Sequence, residues 1–427
     1  MNTIKILKRV FALMLCLLIT MSAIPMGAYV GGVKAHGAEV DSTLNASLSE
    51  AKAYIDALTI NNSSNDPATV VKNFKTHFTW DNEKRENSKS YLFDWSYYNG
   101  VIFEGLKNIY DETGDPDYMP YIKEFMDALI TDGMLNEHAG YVPYHGLDCY
   151  KTASLLMEFC EFNEDGTPVP SEYTSTAKQL YHDLIVENKC HTEEALGGNY
   201  WHSWRNNNPP KYKVWLDGIY MAQPFAAKYA YASHDEAQLE TIYKRFRWVA
   251  DTLLAPNGLY YHAGNSKDDF CNFFWLRAIG WYAMAQVDVM PFITGANLEA
   301  MKKDLKNFID GMLKFQDESG MWCNLVDQPR TETNLPETSG TAMIIYCILK
   351  AIRMGWLEDP TGAYKHAAQK AFCYMAEEKL NNNALKDIYL MASASGENNY
   401  EKLDWYKVDE GKGTGPYIMA YAEMIKA

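Results

Sequence analysis

The sequence predicts an all-α protein, an (α/α)6 barrel of six helical hairpins. Five segments place apolar residues three and four positions apart, which is the pattern of amphipathic helices. Six further segments carry a small residue between aromatic and aliphatic neighbours, and strand-like alternation is scarce. Alternating amphipathic and buried-type helices indicate two concentric rings.

The amphipathic segments are expected to form the outer ring. Polar, glycine-rich or proline-rich stretches separate them, as is typical between helices. The segments are Tyr118–Leu129, Ser171–Val186, Asp235–Leu254, Asn297–Phe315 and Tyr364–Leu380.

The six small-residue segments are expected to begin the inner helices. They recur at intervals of about 50 to 75 residues, which is consistent with a degenerate helical-hairpin repeat. In such a barrel the inner helix starts gather at one open end, where loops enclose a cleft. An α-solenoid or an irregular helical domain is the alternative architecture. The segments are Tyr98–Val101, Gly146–Cys149, Asp217–Tyr220, Ala278–Trp281, Thr338–Thr341 and Gly413–Pro416.

The N-terminus predicts a secretory signal peptide over residues 1–35, followed by a single catalytic domain over 36–427. A basic start precedes an apolar run at 10–20 that is short for a membrane span. Cleavage is expected at the end of this segment or after Ala28. A lipoprotein anchored through Cys16 is disfavoured, because the residues before it are not small. We therefore expect a secreted protein with no stable membrane insertion.

The composition disfavours several classes of partner and cofactor. The chain carries a net charge of −16, so we expect neither nucleic acid nor an anionic membrane as a partner. The cysteines after the leader show no Cys-x-x-Cys spacing, which favours buried free thiols over zinc or disulfides. No metal-ligand motif, phosphate-binding loop or serine-hydrolase elbow is visible, so we expect no metal and no cofactor. The oligomeric state stays open.

Two aspartates are the candidate catalytic residues. Asp217 follows Trp215 at a predicted helix start, and Asp148 lies in another such start. Paired acids in different environments can act as proton donor and ionised group. Both could instead be helix N-caps, a role that aspartate favours. A helix N-terminus also lowers the pKa of a carboxyl group, so a proton donor at Asp217 would need burial or repulsion from Asp148 to offset this effect.

Aromatic and basic residues suggest an anionic carbohydrate as the ligand. Sugar rings present apolar C–H faces that stack on indoles, and a guanidinium can hold a carboxylate through two hydrogen bonds. The alternative is that the tryptophans pack in the core, that Arg277 forms a structural ion pair, and that the histidines are buried residues of the core. The candidates are His202, Trp215, His262, Trp275, Arg277 and Trp281.

Seven segments in order carry a resemblance to a known family. They are Trp95–Gly100, Leu147–Asp148, Gly197–His202, Trp215–Ala222, Gly258–His262, Trp275–Trp281 and Glu337–Met343. Through them the chain resembles the unsaturated uronyl hydrolases of glycoside hydrolase families 105 and 88, and family 105 most closely. The resemblance covers nearly all of the chain after the leader.

This resemblance implies an (α/α)6 barrel that removes a 4,5-unsaturated uronic acid from the end of a lyase-generated oligosaccharide. It implies that Asp217 protonates C4 of an enol ether and then helps water to add at C5, while Asp148 contacts the sugar. The side chains that match substrate-contacting positions are Tyr97, His202, His262, Trp275, Arg277 and Trp281.

We expect an unsaturated galacturonyl-rhamnose fragment of pectin as the substrate, with unsaturated glucuronyl ends as the variant. Other functions remain possible on the same barrel. One is a conventional inverting glycosidase with Asp217 and Asp148 as acid and base. The others are a carbohydrate-binding protein without catalysis and a polysaccharide lyase.

Overall fold

The computed structural model describes residues 33–59, 94–116, 118–139, 146–187, 191–204, 210–381, 384–394 and 399–427. Residues 1–32 of the predicted signal peptide, with Cys16, lie outside the described residues, as does Cys190. The contacts divide the chain into two units, 1–43 and 44–427, and the barrel belongs to the second. No helix in the described part is long and apolar enough to cross a membrane.

The described residues contain twelve α-helices. The six odd-numbered ones are α1 (Val33–Thr59), α3 (Tyr118–Leu129), α5 (Glu172–Ile185), α7 (Glu236–Leu253), α9 (Gly295–Leu313) and α11 (Ala363–Tyr374). The six even-numbered ones are α2 (Tyr97–Thr113), α4 (Ala153–Leu156), α6 (Leu216–Ala232), α8 (Leu276–Val289), α10 (Thr338–Arg353) and α12 (Gly411–Met424). The short α4 lies between 3-10 turns at Leu147–Tyr150 and Met157–Phe159.

The even-numbered helices form a closed inner ring. Each packs against the next in order, from α2 to α12, and α12 packs against α2. Almost every residue of α8, α10 and α12 is buried, whereas helices such as α5 and α7 bury one face only. Six inner and six outer helices confirm the predicted (α/α)6 barrel.

Small residues in several of the repeated segments let inner helices approach each other. At Gly340 a Cβ atom would lie 2.4 Å from Cγ of Leu276, so only glycine permits this contact between α10 and α8. The predicted outer helices agree with the observed bounds within a few residues, except that α11 ends at Tyr374. A five-residue π-helical turn, Met375–Lys379, continues from it.

Short antiparallel strands connect the helices. They pair β1 (Ile130–Thr131) with β2 (Met134–Leu135), β3 (Val214–Trp215) with β4 (Ala263–Ser266), β4 with β5 (Asp269–Phe270), β6 (Leu380–Asn381) with β7 (Ala384–Leu385), and β8 (Ile388–Tyr389) with β9 (Tyr406–Lys407). The β3–β4 register sets Trp215 opposite Ala263. Trp215 is the residue before α6, and His262 is the residue before Ala263. This pairing therefore holds the start of α6 beside His262.

Candidate active site

The inner helices bring their N-terminal ends together at one end of the barrel. Burial raises the pKa of the Tyr97 hydroxyl, at the start of α2, well above its ordinary value, and the carboxylates of Asp148 and Glu410 raise it further. The guanidinium of Arg277 lowers this pKa, and the carboxylate of Asp217 raises it. Five side chains from five separate segments therefore share one electrostatic environment, as the predicted open end requires.

Asp217 lies in the first turn of α6, next to a buried histidine. The backbone N–H of Leu216 donates to the carbonyl oxygen of His262 over 3.1 Å, which sets the two segments side by side. The Oδ2 atom of Asp217 is 3.2 Å from Nε2 of His262, and the exposed fractions of the two side chains are 14% and 0%. The two atoms face each other, and neither has another hydrogen-bond partner among the described residues.

The charge state of Asp217 follows from these neighbours. Burial raises its pKa, but the contact with His262 and the electrostatic interactions with His262, His202 and Arg277 outweigh burial. The pKa of Asp217 therefore lies below its ordinary value. Burial favours the neutral carboxyl group of Asp217, but this effect is smaller than the effects that favour the ionised carboxylate.

Asp148 approaches the start of α6 from a different segment. It is exposed on the 3-10 turn Leu147–Tyr150, and the N–H of Leu147 donates to the carbonyl of His202 over 3.0 Å. This turn packs against α6 at Gly218, where a Cβ atom would lie 2.7 Å from Cδ1 of Leu147 and 3.1 Å from Nδ1 of His202. Because Gly218 has no side chain, this turn and His202 can reach the start of α6.

Five of the predicted site residues form what we call the open face: Tyr97, Asp148, His202, Trp215 and Asp217. All five are at least partly exposed. The rings of His202 and Trp215 stack with centroids 4.6 Å apart and planes at 13°. Their partly exposed surfaces beside Asp217 provide aromatic surface of the kind on which a sugar can stack.

The other four predicted residues form a supporting layer: His262, Trp275, Arg277 and Trp281. Each is at most 2% exposed. Trp275 donates to Oδ1 of Asn324 over 2.9 Å, and the Arg277 guanidinium lies 4.5 Å from the centre of the Trp275 ring. This layer packs behind the open face.

Two residues of this layer make further contacts within the protein. The two Nη atoms of Arg277 donate to the backbone carbonyls of Tyr389 and Leu390. Trp281 stacks on the ring of Tyr220, with centroids 5.0 Å apart, inside the barrel. Contact of Arg277 and Trp281 with a substrate stays a prediction.

Sequence reasoning missed several residues of this region. Tyr400 contacts His262 through its hydroxyl, and no periodicity marks it because the two are 138 positions apart. Glu410 caps α12 by accepting from the N–H of Lys412, as Glu337 caps α10 by accepting from the N–H of Gly340. Aligning the last two repeated segments would have revealed this shared acidic cap.

The described residues contain no group of three or more histidine, cysteine or acidic side chains that could hold a metal ion. In this part of the chain Cys160, Cys271, Cys323, Cys347 and Cys373 are free thiols.

Comparison with known proteins gives the family. The family model of Glycosyl Hydrolase Family 88 matches residues 69–427. A solved glycoside hydrolase from family 105 of C. acetobutylicum ATCC 824 shares 27% identity at a TM-score of 0.67, covering 78% of this chain and 94% of that one. The unsaturated rhamnogalacturonyl hydrolase YesR of Bacillus subtilis is 24% identical over 260 residues, 58% of this chain and 70% of its own.

A more distant structure shares the fold. The unsaturated glucuronyl hydrolase of Bacillus sp. GL1 has 14% identity and a TM-score of 0.54, covering 77% of this chain and 85% of that one. The family match spans most of this chain, including every residue of the open face and of the supporting layer. The chain therefore belongs to Glycosyl Hydrolase Family 88 and is a hydrolytic enzyme.

Proposed function

We propose that this enzyme removes a 4,5-unsaturated uronic acid from the non-reducing end of oligosaccharides that polysaccharide lyases generate. The observation that carries the proposal is the Oδ2 atom of Asp217, buried 3.2 Å from Nε2 of His262 and without any other partner among the described residues. Buried polar atoms are rarely left without partners unless a ligand or a reaction uses them. Family membership and the similarity to an unsaturated rhamnogalacturonyl hydrolase support the substrate class.

The proposed reaction is hydration of an enol ether. The Asp217 carboxyl group gives its proton to C4, the C4–C5 double bond is consumed, and positive charge develops at C5 and the ring oxygen. The resulting carboxylate then takes a proton from water while the water oxygen bonds to C5. The hemiketal opens to a ketone, and the hemiacetal left at C1 releases the rest of the oligosaccharide as an alcohol.

The lowered pKa of Asp217 places a requirement on this mechanism. A carboxylate must gain a proton before it can donate one. A uronate bound over the open face would add negative charge and displace water, and both effects raise the pKa of Asp217. We therefore propose that substrate binding and proton uptake are linked at this residue.

The proposed natural substrate is an unsaturated galacturonyl-rhamnose fragment of pectin rhamnogalacturonan. The named Bacillus subtilis relative supports this choice. Unsaturated glucuronyl ends are the variant, and the solved glucuronyl hydrolase at 14% identity shares only the fold with this chain.

The test follows the absorbance of the conjugated C4–C5 double bond in the ultraviolet. Purified enzyme is incubated with lyase-digested rhamnogalacturonan, and in parallel with saturated oligosaccharides of the same linkage. Absorbance should fall and free sugar should appear only from the unsaturated substrate. Release of sugar from the saturated substrate would instead support an inverting glycosidase with Asp217 and Asp148 as acid and base. Binding without turnover of either substrate would support a carbohydrate-binding protein.

We also propose that the enzyme is exported through the N-terminal leader. A basic start, an apolar run and small residues support this proposal. N-terminal sequencing of the protein from a culture supernatant should give a chain that starts after Ala28 or Ala35. Full-length protein confined to the cytoplasm would contradict export.

A further inference from the structure

Tyr400 lies directly behind the Asp217–His262 pair. It is completely buried, and its hydroxyl oxygen is 2.8 Å from Nδ1 of His262. The same oxygen lies 3.2 Å from the carbonyl oxygen of Ser393 and 3.3 Å from Sγ of Cys271. A hydroxyl group has one hydrogen to donate, whereas a carbonyl group only accepts. The Tyr400 hydrogen can therefore point to His262 or to Ser393, but not to both.

The surroundings fix the ring of Tyr400 and leave its hydroxyl hydrogen as the movable part. The backbone carbonyl of Tyr400 accepts from Nδ2 of Asn324 over 2.6 Å. The ring stacks on Phe273, with centroids 4.3 Å apart. The oxygen atom thus stays beside His262 while the O–H bond rotates.

Each direction of the O–H bond suits a different charge state of the histidine. When Tyr400 donates to Nδ1, His262 is neutral and its single hydrogen is on Nε2, facing the ionised Asp217. When the hydroxyl turns to Ser393, its lone pair accepts a hydrogen from Nδ1. His262 and Asp217 then hold one additional proton, shared between Nε2 and Oδ2. In both arrangements the Nδ1 atom has a partner, which a buried imidazole needs.

We propose that Tyr400 is a positioning residue for the reaction proposed above, and that its rotating hydroxyl group allows the Asp217–His262 pair to gain and release the proton used at C4. The inference rests on the proposed function. In the step itself the Oδ2–H bond of Asp217 breaks and the C4–H bond forms. A proton from the added water then restores Oδ2–H, so the pair ends as it began.

Other titratable and charged groups also face this array. The side chains of His202, Arg277 and Asp217 interact with it electrostatically. The thiol of Cys271 and the hydroxyl of Tyr212 lie on the Tyr400 side. A substitution at Tyr400 leaves all these groups in the protein, and among them Cys271 loses its contact with the Tyr400 hydroxyl. A change in proton affinity there therefore reports on the lost hydroxyl.

The test compares Tyr400→Phe with wild type and with Tyr389→Phe. The Tyr389 hydroxyl holds the same loop, because it donates to the carbonyl of Asn399 over 2.7 Å and accepts from the N–H of Lys402 over 3.0 Å. It makes no hydrogen bond to His262. Loosening of the loop would affect both variants, whereas loss of the Nδ1 partner occurs only in Tyr400→Phe.

Removing a hydrogen-bond partner destabilises a charged N–H group more than it destabilises a neutral acceptor nitrogen. We therefore expect Tyr400→Phe to hold the extra proton less tightly. At neutral pH its kcat should fall roughly tenfold with little change in KM, and the alkaline limit of kcat should move down by about one pH unit. In Tyr389→Phe that limit should stay in place, whatever happens to the rate. Equal alkaline limits in wild type and Tyr400→Phe, or equal shifts in the two variants, would overturn the proposal.

A second measurement does not depend on activity. Nitrogen NMR spectra of the protein with labelled histidines follow His262, whose signals are identified among the ten histidines by their absence in His262→Gln. Protonation of His262 should require a pH about one unit lower in Tyr400→Phe than in wild type. The same titration in both proteins would overturn the role of Tyr400. If no unsaturated oligosaccharide is turned over, the proposed function fails, and the NMR titration still decides whether Tyr400 controls this proton.

Discussion

Among the buried charges that the structure describes in the inner ring of this barrel, two groups differ in how completely they are paired. The first surrounds Glu104 of α2. Its Oε2 atom accepts from Lys151, and its Oε1 atom accepts from Ser154 over 3.1 Å and from Lys228 over 3.3 Å. Burial raises the pKa of Glu104, but the two lysines outweigh it and lower this pKa to about 2.

The second group surrounds Asp217 at the open end. Oδ2 of Asp217, Nε2 of His262 and Nδ1 of His202 are all buried, and none has a hydrogen-bond partner among the described residues. The first group joins α2, the α4 segment and α6 through hydrogen bonds between its own members. These hydrogen bonds stabilise the fold. The second keeps donors and acceptors available for a ligand, which is the arrangement expected where chemistry takes place.

The largest expected effect comes from removing the proton donor of the second group. Asp217→Asn keeps the shape of the side chain but cannot donate the proton, so turnover should fall by about 10² to 10⁴-fold or more. The melting temperature should stay close to that of wild type, because no ideal hydrogen bond is lost. Initial rates of absorbance loss and thermal unfolding measure the two quantities. Retained activity would remove Asp217 from the proposed role.

For the first group we expect the opposite result, a loss of stability without a loss of activity. Glu104→Gln leaves Lys151 and Lys228 as buried charges with incomplete compensation, which costs on the order of 3–5 kcal/mol of folding free energy. The rate per folded molecule should be nearly unchanged, because Glu104 is not among the residues of the open face. Urea unfolding and active-site-normalised rates provide the measurements. A fall in the rate of fully folded Glu104→Gln would show that the two groups are not independent.

The pH dependence of stability sharpens this contrast. Glu104 has an ordinary pKa of 4.5 and a folded-state pKa of about 2. Its contribution to the free energy of unfolding is therefore complete above pH 4.5 and is lost as the pH falls towards 2. By linkage this contribution is about 3 kcal/mol. The stability gap between wild type and Glu104→Gln should therefore be constant near neutrality and narrow in acid, as followed by urea unfolding at several pH values. Curves that stay parallel down to the acid transition would contradict the pairing of Glu104.

The fold was accessible from sequence because its signals are local. The spacing of apolar residues marks five of the six outer helices. A small residue marks the first turns of five inner helices, as Gly340 shows where α10 meets α8, whereas the segment Gly146–Cys149 lies at the 3-10 turn before α4. The placement of Asp217 at a helix start was equally local. Whether an aromatic ring faces a ligand or the core is not a local property. Trp281 is buried because Tyr220, from another helix, covers its ring, and Tyr400 contacts His262 although the two are 138 positions apart.

The smallest effect expected here tests how closely the open face is assembled. In Gly218→Ala the new Cβ atom would lie 2.7 Å from Cδ1 of Leu147 and 3.1 Å from Nδ1 of His202, so the Leu147 side chain and the His202 ring must shift by a fraction of an ångström. A displacement of that size should lower kcat/KM roughly tenfold, since misplacement of about 1 Å can cost a hundredfold.

Gly105→Ala is the matched control for this substitution. It also lies in an inner helix, and its Cβ atom would lie 2.8 Å from the side chain of Ile418, away from the open face. Both variants should lose similar stability in thermal unfolding, because each forces one aliphatic side chain to move. Only Gly218→Ala should lose activity. Equal losses of kcat/KM in the two variants would mean that rigidity of the whole ring, and not the local approach of the Asp148 turn to α6, sets the geometry of the site.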